Sequence, residues 1–279
     1  MVFCWFASWH SFTPVLLARL LHKPAIVVIG GYDTANVPEA GYGSQRGGLR
    51  RLVARTVIHS ATHLIAFSES AKKEAVANAG ADPDKTRVIY QGIPLTAIGS
   101  CDKRKPLVLT VGNVWRENLL RKGLLPFVRA AEYLPELTFV LVGKWHDDSI
   151  QQLRRVAGPN VELKGYLSDN QLNELYVRAS VYVQASLHEG FGMSVAEAML
   201  GGCIPVVTRK GSLPELVGET GVYIDSNDPV SVAKAIRYAL NQGSTMRREA
   251  QGRIVSHFSL ERRRQALITF IDHLLQQSG

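Results

Sequence analysis

The chain has 279 residues, enough for one large domain or two of ordinary size, and its 46% hydrophobic residues against 20% charged exclude a disordered polypeptide. The formal net charge is +8, but no zinc-ligand spacing or RNA-binding signature accompanies it, so we expect no nucleic-acid partner. Cys4, Cys101 and Cys203 are far apart, which argues against a disulfide framework and favours reduced thiols in a cytoplasmic setting.

The amino-terminal segment is apolar but is not a typical targeting signal. It contains Trp9, His10 and Arg19 and is not preceded by a basic region, which disfavours a signal peptide. Nowhere do about 18 apolar residues run without a charge, so we expect no membrane span. Met1 is followed at once by residues 2–6, which resemble an internal strand, so we expect part of the first domain to be missing.

Strand-like and helical patterns alternate through the first third of the chain. The predicted elements are a strand at Ala25–Ile29 before Gly30 and Gly31, a helix at Gly48–Ser60, a strand at His63–Phe67, a helix at Glu69–Ala79 and a strand at Arg87–Tyr90. Such alternation predicts βαβ units and a parallel sheet. Asp82 and Asp84 have the spacing of a metal-binding Asp-x-Asp motif, but the preceding glycine favours a helix end and a turn.

Four arginines, Arg46, Arg50, Arg51 and Arg55, cluster around the start of the predicted helix at residues 48–60. One interpretation is an ordinary solvated helix face. The other is attraction to anionic lipid or to phosphorylated ligands. The sequence leaves both open.

A second α/β series follows a mixed loop between Gln91 and Lys105, which is the best candidate for an interdomain linker. Its predicted strands are Leu107–Val111, Thr138–Val142, Val161–Leu163, Ala179–Ser186, Ile204–Thr208 and Val222–Ile224. Its predicted helices are Gly123–Tyr133, Ser149–Val156, one capped by Ser168, one started by Asp228 and Pro229, and most of residues 244–276.

Several strands of the second series end in glycine, at Gly112, Gly143 and Gly165. In open α/β sheets, ligands bind at the carboxyl ends of the strands, where the backbone must approach them closely. We therefore predict an α/β fold with two Rossmann-like domains. The expected boundaries are an incomplete first domain at 1–100, a second Rossmann-like domain at 101–255, and a carboxy-terminal helix at 256–279 that packs back toward the first domain.

Residues 188–199 carry the most informative pattern. Glu189 and Glu197 flank a glycine-containing turn that opens into a helix and follows a buried strand. The start of a helix presents unpaired backbone N–H groups to an anion. An acid on each side of this cradle suits a ligand with phosphate in the middle and hydroxyl-rich sugars at both ends. A nucleotide-diphosphate sugar has that layout.

Further short motifs occur around this pattern, in a fixed order. They are Val111–Gly112, Arg121–Gly123, Val142–Gly143, Gly165–Leu167, Glu189–Gly192 with Glu197–Met199, Pro205–Val207 and Leu213–Val217. Together they make residues 107–243 resemble the donor-binding domain of the family 4 glycosyltransferases, which have the two-domain GT-B fold. The resemblance extends less sharply over residues 24–93.

Family 4 enzymes transfer a sugar from a nucleotide donor to an acceptor hydroxyl with retention of configuration and usually without a metal. The resemblance implies that Glu189 binds donor-sugar hydroxyls, Glu197 the ribose, and Lys122 the diphosphate. It implies Glu189, Lys122 and Arg116 as catalytic residues, with no metal site and no cofactor. The expected donor-binding residues are Gly112, Asn113, Lys122, Gly143, Tyr166, Leu167, Glu189, Gly190, Phe191, Gly192, Met193, Ser194 and Glu197.

Two positions depart from the family pattern. Asn113 stands where family members often carry an arginine, and Arg116 is the candidate substitute. Many members also have a histidine after the strand that matches Ala25–Ile29, where this chain has glycine. Asp33 or His10 is the candidate for part of that role.

The resulting hypothesis is a cytoplasmic retaining glycosyltransferase, peripheral to the inner face of an anionic membrane, with a glycan, lipid-linked or small-molecule acceptor. Alternatives are a non-catalytic nucleotide-sugar-binding subunit, a truncated inactive fragment, or a sugar-nucleotide epimerase of the same fold. The residues also allow a plainer interpretation, in which Glu197 is an ordinary helix carboxylate and Lys122 belongs to a surface Arg–Lys pair.

Overall fold

The computed structural model describes residues 1–95 and 104–277, so most of the predicted linker lies outside the described residues. The chain forms two compact units. The first unit consists of Met1–Gly92, Glu189–Phe191 and Glu261–Gly279. The second unit consists of Ile93–His188 and Gly192–Leu260.

The first unit is built on a four-stranded parallel sheet in the order β1-β2-β3-β4. Its strands are β1 (Val2–Trp5), β2 (Ala25–Ile29), β3 (His63–Ala66) and β4 (Thr86–Val88). All five residues of β2 are buried, as a continuous run of aliphatic residues predicts for a strand covered on both faces.

Helices pack on this sheet and bury their apolar faces against it. They are α1 (Trp9–Leu20), α2 (Gly48–Ser60), α3 (Glu69–Glu74) with a π-helical turn at Ala75–Ala79, and a late helix at Leu260–Gln277. The π-helical turn ends on Gly80 at φ +71°, and Asp82 then accepts the backbone N–H of Asp84 at 2.9 Å. The expected helix end and turn at Asp82 and Asp84 are therefore confirmed.

The second unit contains a six-stranded parallel sheet in the order β10-β9-β8-β5-β6-β7. Its strands are β5 (Leu107–Val111), β6 (Thr138–Val142), β7 (Val161–Lys164), β8 (Val181–Gln184), β9 (Ile204–Thr208) and β10 (Val222–Ile224). The chain runs outward from β5 to β7, then returns to pair β8 with the other side of β5. The strand order thus reverses between β5 and β8, where open α/β sheets bind ligands.

In the described part of the second unit, eight α-helices follow the strands and flank the sheet. They are α4 (Arg116–Arg121), α5 (Leu124–Ala130), α6 (Ser149–Val156), α7 (Asp169–Arg178), α8 (Met193–Leu200), α9 (Leu213–Val217), α10 (Pro229–Asn241) and α11 (Gly243–His257); the late helix of the first unit is α12. One face of the sheet buries a core in which the rings of Phe127 and Phe139 lie 5.2 Å apart.

The prediction of an α/β fold with parallel sheets is confirmed, and most predicted elements are present. The predicted strand at Ala179–Ser186 is shorter, because pairing with β5 and β9 involves only Val181–Gln184. The predicted strand at Arg87–Tyr90 ends at Val88, where its ladder with β3 ends. The region 244–276 is divided at Phe258 and Ser259, where the chain bonds to Ile93.

Gly123, between α4 and α5, makes the closest backbone approach near the end of β8. Its φ is +67°, and a Cβ there would lie 2.1 Å from the carbonyl oxygen of Ala185. We expect Gly123→Ala to lower the free energy of unfolding by about 2 to 5 kcal/mol, because a left-handed backbone and an overpacked contact both oppose it.

Urea denaturation measures this effect, and Gly252→Ala is its matched control. Gly252 lies inside α11, and a Cβ there would meet nothing within 4 Å. That variant should be neutral or about 0.5 to 1 kcal/mol more stable, since glycine weakens a helix interior. Equal stability of the two variants would contradict the close approach at Gly123.

Candidate functional site

The carboxyl ends of β5 and β6 come very close together, and glycine makes this possible. A Cβ on Gly143 would lie 2.1 Å from the carbonyl oxygen of Gly112 and 2.9 Å from the backbone nitrogen of Asn113. Three of the predicted donor-binding residues are therefore neighbours at one edge of the sheet, next to the β5–β8 reversal.

Asn113 and Arg116 begin the connection from β5 to α4. The side-chain oxygen of Asn113 accepts the backbone N–H of Lys144 at 3.1 Å. The backbone carbonyl of Asn113 accepts a hydrogen bond from the Asn118 side-chain amide at 2.7 Å. Arg116 is exposed, and its backbone N–H donates to Asp147 at 2.9 Å. Asn113 thus connects the loops after β5 and β6. An arginine side chain has no acceptor, so at this position it could not accept the Lys144 N–H.

Lys122 is the C-cap of α4 and lies beside Gly112. Its Cβ and Cγ are both 3.8 Å from where a Cβ on Gly112 would be. The adjacent Arg121 is only 8% exposed, and its Nε and Nη2 both donate to the Asn118 side chain, at 3.0 and 2.7 Å. Interpreting residues 121–122 as a surface pair is therefore wrong for Arg121. Lys122 is the cation at the carboxyl end of β5.

The turn after β8 leads into helix α8. Gly192 is its N-cap at φ +96°, and no side chain of the described residues caps this helix start. The first helical bond at this end joins the Ala196 N–H to the Gly192 carbonyl. The backbone N–H groups of Met193 and Ser194 come before that bond, so they have no acceptor within the helix. The helix start predicted from the glycine turn is therefore present, and its use as an anion cradle stays a prediction.

Glu197 lies little more than one turn along α8, about 7.5 Å from the N-cap at ~1.5 Å per residue. It is half-buried, and the hydroxyl of Tyr176 donates to its Oε2 at 3.1 Å. Burial raises the pKa of Glu197, while the Tyr176 bond opposes that rise. Tyr176 is 1% exposed, so its hydroxyl is held in place by packing. This contact makes Glu197 more than an ordinary solvated helix carboxylate.

Helices α7 and α8 are held together beneath this carboxylate. A Cβ on Gly201 would lie 2.8 Å from the Cβ of Tyr176, so the helices approach closely there. Arg104 donates to the backbone carbonyls of Tyr176, Ala179 and Gly201. Cations favour helix carboxyl ends, and this one joins two of them. The sequence gives no local signal for Tyr176 or Arg104, because both contacts span long stretches of chain.

Tyr166 and Leu167 follow β7, the strand at the edge of the sheet. Tyr166 is 67% exposed, and the Nζ of Lys144 lies 4.8 Å from its ring centre. Leu167 is half-buried. Two strand spacings separate β7 from β5, about 10 Å at 4.8 Å each. These two predicted donor-binding residues are therefore farther from Gly112 than Asn113 and Lys122 are.

Residues 189–191 belong to the first unit, where Gly190 lies against the end of β2. The Ser68 hydroxyl donates to the Gly190 carbonyl at 3.2 Å, and a Cβ on Gly190 would be 2.0 Å from the Gly30 carbonyl oxygen. Glu189 is half-buried and Phe191 is buried. The two glycines, Gly30 and Gly190, therefore allow this backbone contact.

Asp33 is buried in the first unit, and its carboxylate accepts hydrogen bonds from backbone N–H groups. Its oxygens accept the N–H groups of Ala7 at 3.0 Å, Gly30 at 3.3 Å and Gly31 at 3.0 Å. Burial raises the pKa of Asp33, and these N–H groups oppose the rise. The exposed His10 bonds to the carbonyl of Trp5. Asp33 thus joins the loops after β1 and β2.

The arginine cluster of the sequence divides in the structure. Arg55 is half-buried and donates to the Asn78 carbonyl at 2.6 Å. Arg46, Arg50 and Arg51 are exposed. The interpretation as a solvated helix face is therefore wrong for Arg55. It agrees with the exposed positions of the other three arginines.

Three observations concern metals, membranes and thiols. Within residues 1–95 and 104–277, no group of three His, Cys, Asp or Glu side chains is arranged to hold a metal ion. No helix in these ranges is both long and apolar enough to cross a membrane. Cys4 and Cys203 are free thiols, burial raises the pKa of Cys203 to about 12, and Cys101 lies outside the described residues.

A glycine-turn helix start, a half-buried carboxylate one turn along it, and a lysine at the switch point of a parallel sheet define a nucleotide-binding type of domain. The family model for group 1 glycosyl transferases matches residues 105–242. Residues 105–242 therefore match a group 1 glycosyltransferase domain, as the resemblance to glycosyltransferases predicts, and the assignment to family 4 stays a prediction.

Curated relatives agree with this assignment. O-antigen chain mannosyltransferase B of Escherichia coli is 34% identical over 133 residues, which cover 44% of this chain and 35% of that protein. Alpha-maltose-1-phosphate synthase of Mycolicibacterium smegmatis is 27% identical over 218 residues, or 68% of this chain and 55% of that protein. The matched stretches thus span only about a third to a half of these relatives.

Solved structures share the fold. Anabaena Alr3699/HepE, solved in complex with UDP and glucose, superimposes with a TM-score of 0.81 at 19% identity. The match covers 94% of this chain and 75% of that one. Structural neighbours of this kind are GT-B glycosyltransferases, so the expected fold class is confirmed.

Proposed function

We propose that the chain acts as a retaining, metal-independent glycosyltransferase that moves a sugar from a nucleoside-diphosphate donor to an acceptor hydroxyl. The second unit binds the nucleoside diphosphate of that donor in this proposal. The observation that carries this proposal is the placement of Glu197, half-buried and hydrogen-bonded by Tyr176 one turn inside a helix whose first N–H groups lack helical acceptors. A diphosphate at that helix start leaves the ribose hydroxyls within reach of the carboxylate.

Charge stabilisation by the protein is the main catalytic contribution in this proposal. The bond from the anomeric carbon to the leaving phosphate oxygen breaks, the acceptor oxygen bonds to that carbon on the same face, and the leaving phosphate takes the acceptor proton. Negative charge grows on the diphosphate, so Lys122 and the α8 N-terminus bind the transition state more strongly than the ground state. Arg116 adds positive charge from the exposed start of α4.

The donor sugar and the acceptor define the remaining roles. Glu189 binds hydroxyls of the donor sugar in this proposal. A relative's name specifies mannose transfer, and another names a maltose phosphate as product. We accordingly propose a glycan, a lipid-linked saccharide or a sugar phosphate as acceptor class. We also propose a cytoplasmic setting with peripheral contact to anionic membrane, for which the exposed Arg46 and Arg50 supply positive charge.

A second candidate function is nucleotide-sugar binding without transfer. It is favoured by Asn113, a neutral residue whose side chain is engaged with the Lys144 backbone. Donor binding without sugar transfer or donor hydrolysis would favour this function over catalysis.

Calorimetric titration of the chain with UDP, GDP and ADP in the presence of EDTA tests the donor site. We expect saturable binding of one of the three, because the cations and helix N–H groups that meet the diphosphate belong to the protein. Addition of Mg²⁺ should leave that affinity within about twofold. Binding of none of them by a folded chain would overturn the donor site, and binding only with Mg²⁺ would overturn metal independence.

A further inference from the structure

A cavity of about 590 Å³ opens at the carboxyl ends of β1 and β2, within the first unit alone. Ligand pockets in proteins range over about 300 to 1,000 Å³, so this one is large enough for a small ring compound with substituents. The donor-binding residues of the second unit do not line it. The cavity is therefore a candidate site for a second ligand.

Aromatic side chains form much of the cavity wall. Phe6, Trp9, Tyr32 and Tyr42 line it, and the rings of Tyr32 and Tyr42 meet edge to face at 5.2 Å. Trp9 remains 54% exposed and Tyr32 39% exposed. Rigid aromatic faces left partly open to solvent supply contact area for the apolar face of a ring ligand at a small entropic cost.

One guanidinium and one carboxylate are among the described lining residues of the cavity. Arg50 lines it, and its Nη1 donates to the Tyr32 hydroxyl at 2.9 Å, which holds the guanidinium at the wall. Asp33 is the one carboxylate among the described lining residues, and three backbone N–H groups already donate to its oxygens. A guanidinium has five N–H donors and matches phosphate oxygens in pairs.

We infer that this cavity binds a hydroxylated ring compound that carries a phosphate group, with the ring against Trp9 and Tyr32 and the phosphate on Arg50. Ser44 and Gly31 also line the cavity. The identity of this ligand as the acceptor rests on the proposed function. Its chemical class rests on the first unit alone.

The test uses three ring phosphates, their neutral counterparts and inorganic phosphate. The chain is titrated with glucose 1-phosphate, mannose 6-phosphate, myo-inositol 1-phosphate and inorganic phosphate, and with glucose, mannose and inositol, by calorimetry. At least one ring phosphate should bind saturably and more tightly than both its neutral counterpart and inorganic phosphate. Arg50→Gln should weaken that binding about tenfold or more, as expected when a charge-assisted hydrogen bond is lost.

Arg51→Gln is the matched control, because Arg51 is the exposed neighbour on the same helix and does not line the cavity. It should change the affinity less than about twofold. Equal weakening in both variants would show a general charge effect and overturn the inference. Absence of binding by every ring phosphate, in solution and in vesicles, would overturn it as well.

Two further measurements locate the ligand and its source. Tyr32→Phe keeps the ring and removes the hydroxyl that holds Arg50, so it should weaken ring-phosphate binding about threefold, less than Arg50→Gln does. Phosphatidylinositol in phosphatidylcholine vesicles presents the same chemistry as a lipid headgroup. Arg50-dependent flotation with these vesicles together with binding of soluble ring phosphates supports the ring-phosphate class of ligand as a whole. Flotation alone assigns the ligand as a lipid headgroup. Binding of soluble ring phosphates alone assigns it as a free ring phosphate.

The donor titration separates this inference from the proposed function. Ring-phosphate binding that depends on Arg50, in a chain that binds no nucleoside diphosphate, would support the cavity and overturn the transferase proposal. Nucleotide binding without any ring-phosphate binding would support the donor site and overturn the inference about the cavity.

Discussion

Replacing Glu197 by glutamine is expected to weaken nucleoside-diphosphate binding by about tenfold to a hundredfold, the usual effect of losing a hydrogen bond to a charged group. The carboxylate is half-buried on α8 and held by the Tyr176 hydroxyl, so its orientation is fixed before a ligand arrives. An amide of the same size keeps the packing and removes the charge that accepts ribose hydroxyls. Calorimetry with the nucleotide that binds the unaltered chain measures the loss.

The 2′,3′-dideoxy analogue of that nucleotide locates the effect. Because it lacks the hydroxyls that Glu197 is proposed to bind, it should bind the unaltered chain and Glu197→Gln with equal affinity. Glu174→Gln, on the exposed face of α7, is the matched control and should bind the ordinary nucleotide as the unaltered chain does. A Glu197→Gln loss of the same size for both nucleotides would contradict the ribose assignment.

The pH dependence of binding provides a second view of the same carboxylate. Burial raises the pKa of Glu197, so the group takes up a proton at a higher pH than an ordinary glutamate. Only the ionised form accepts hydroxyl bonds on both oxygens. The affinity of the unaltered chain should therefore fall as the pH drops through that raised pKa, and Glu197→Gln should lack this dependence.

The strands of the second unit were the most predictable part of the fold. Leu107–Val111, Thr138–Val142 and Ile204–Thr208 agree in both ends with their predicted bounds. Parallel strands covered on both faces are continuous apolar runs, and glycine or polar residues mark where they end. The same glycines predicted the sheet edge at which Gly112 and Gly143 meet.

Contacts between distant segments could not be predicted in this way. Tyr176 reaches Glu197 because α7 and α8 pack closely at Gly201, and the helical periodicity of either segment gives no information about that packing. Arg104 joins the ends of both helices from a position before the first strand of the unit. Residues that support a site from a distance leave no spacing signal in the sequence.

Charge clusters were equally ambiguous without the fold. Arg46, Arg50, Arg51 and Arg55 form one cluster in sequence, yet their environments differ. Arg55 donates to a backbone carbonyl inside the unit, whereas Arg50 lines a cavity. The basic cluster therefore predicted a positively charged surface but not the different environment of each arginine within it.

Lys122→Gln is expected to reduce nucleoside-diphosphate affinity about tenfold or more and the rate of sugar transfer by about a hundredfold or more. Lys122 lies against Gly112 at the end of β5, where the proposed diphosphate gains charge as the sugar leaves. Removing one group that stabilises developing charge in a transition state commonly lowers kcat by a hundredfold to a thousandfold. Binding of the nucleoside without phosphate should change less than about twofold.

Calorimetry with the diphosphate and with the nucleoside, followed by a transfer assay under saturating donor, separates the two effects. Lys234→Gln, an exposed lysine on α10 of the same unit, should leave both measurements unchanged. Arg121 provides the structural contrast, because its guanidinium is hydrogen-bonded to Asn118. Arg121→Gln should lower the free energy of unfolding, and the molecules that remain folded should bind the nucleotide with unchanged affinity. A Lys122→Gln variant that binds diphosphate and nucleoside with unchanged affinities would place the diphosphate elsewhere in the second unit.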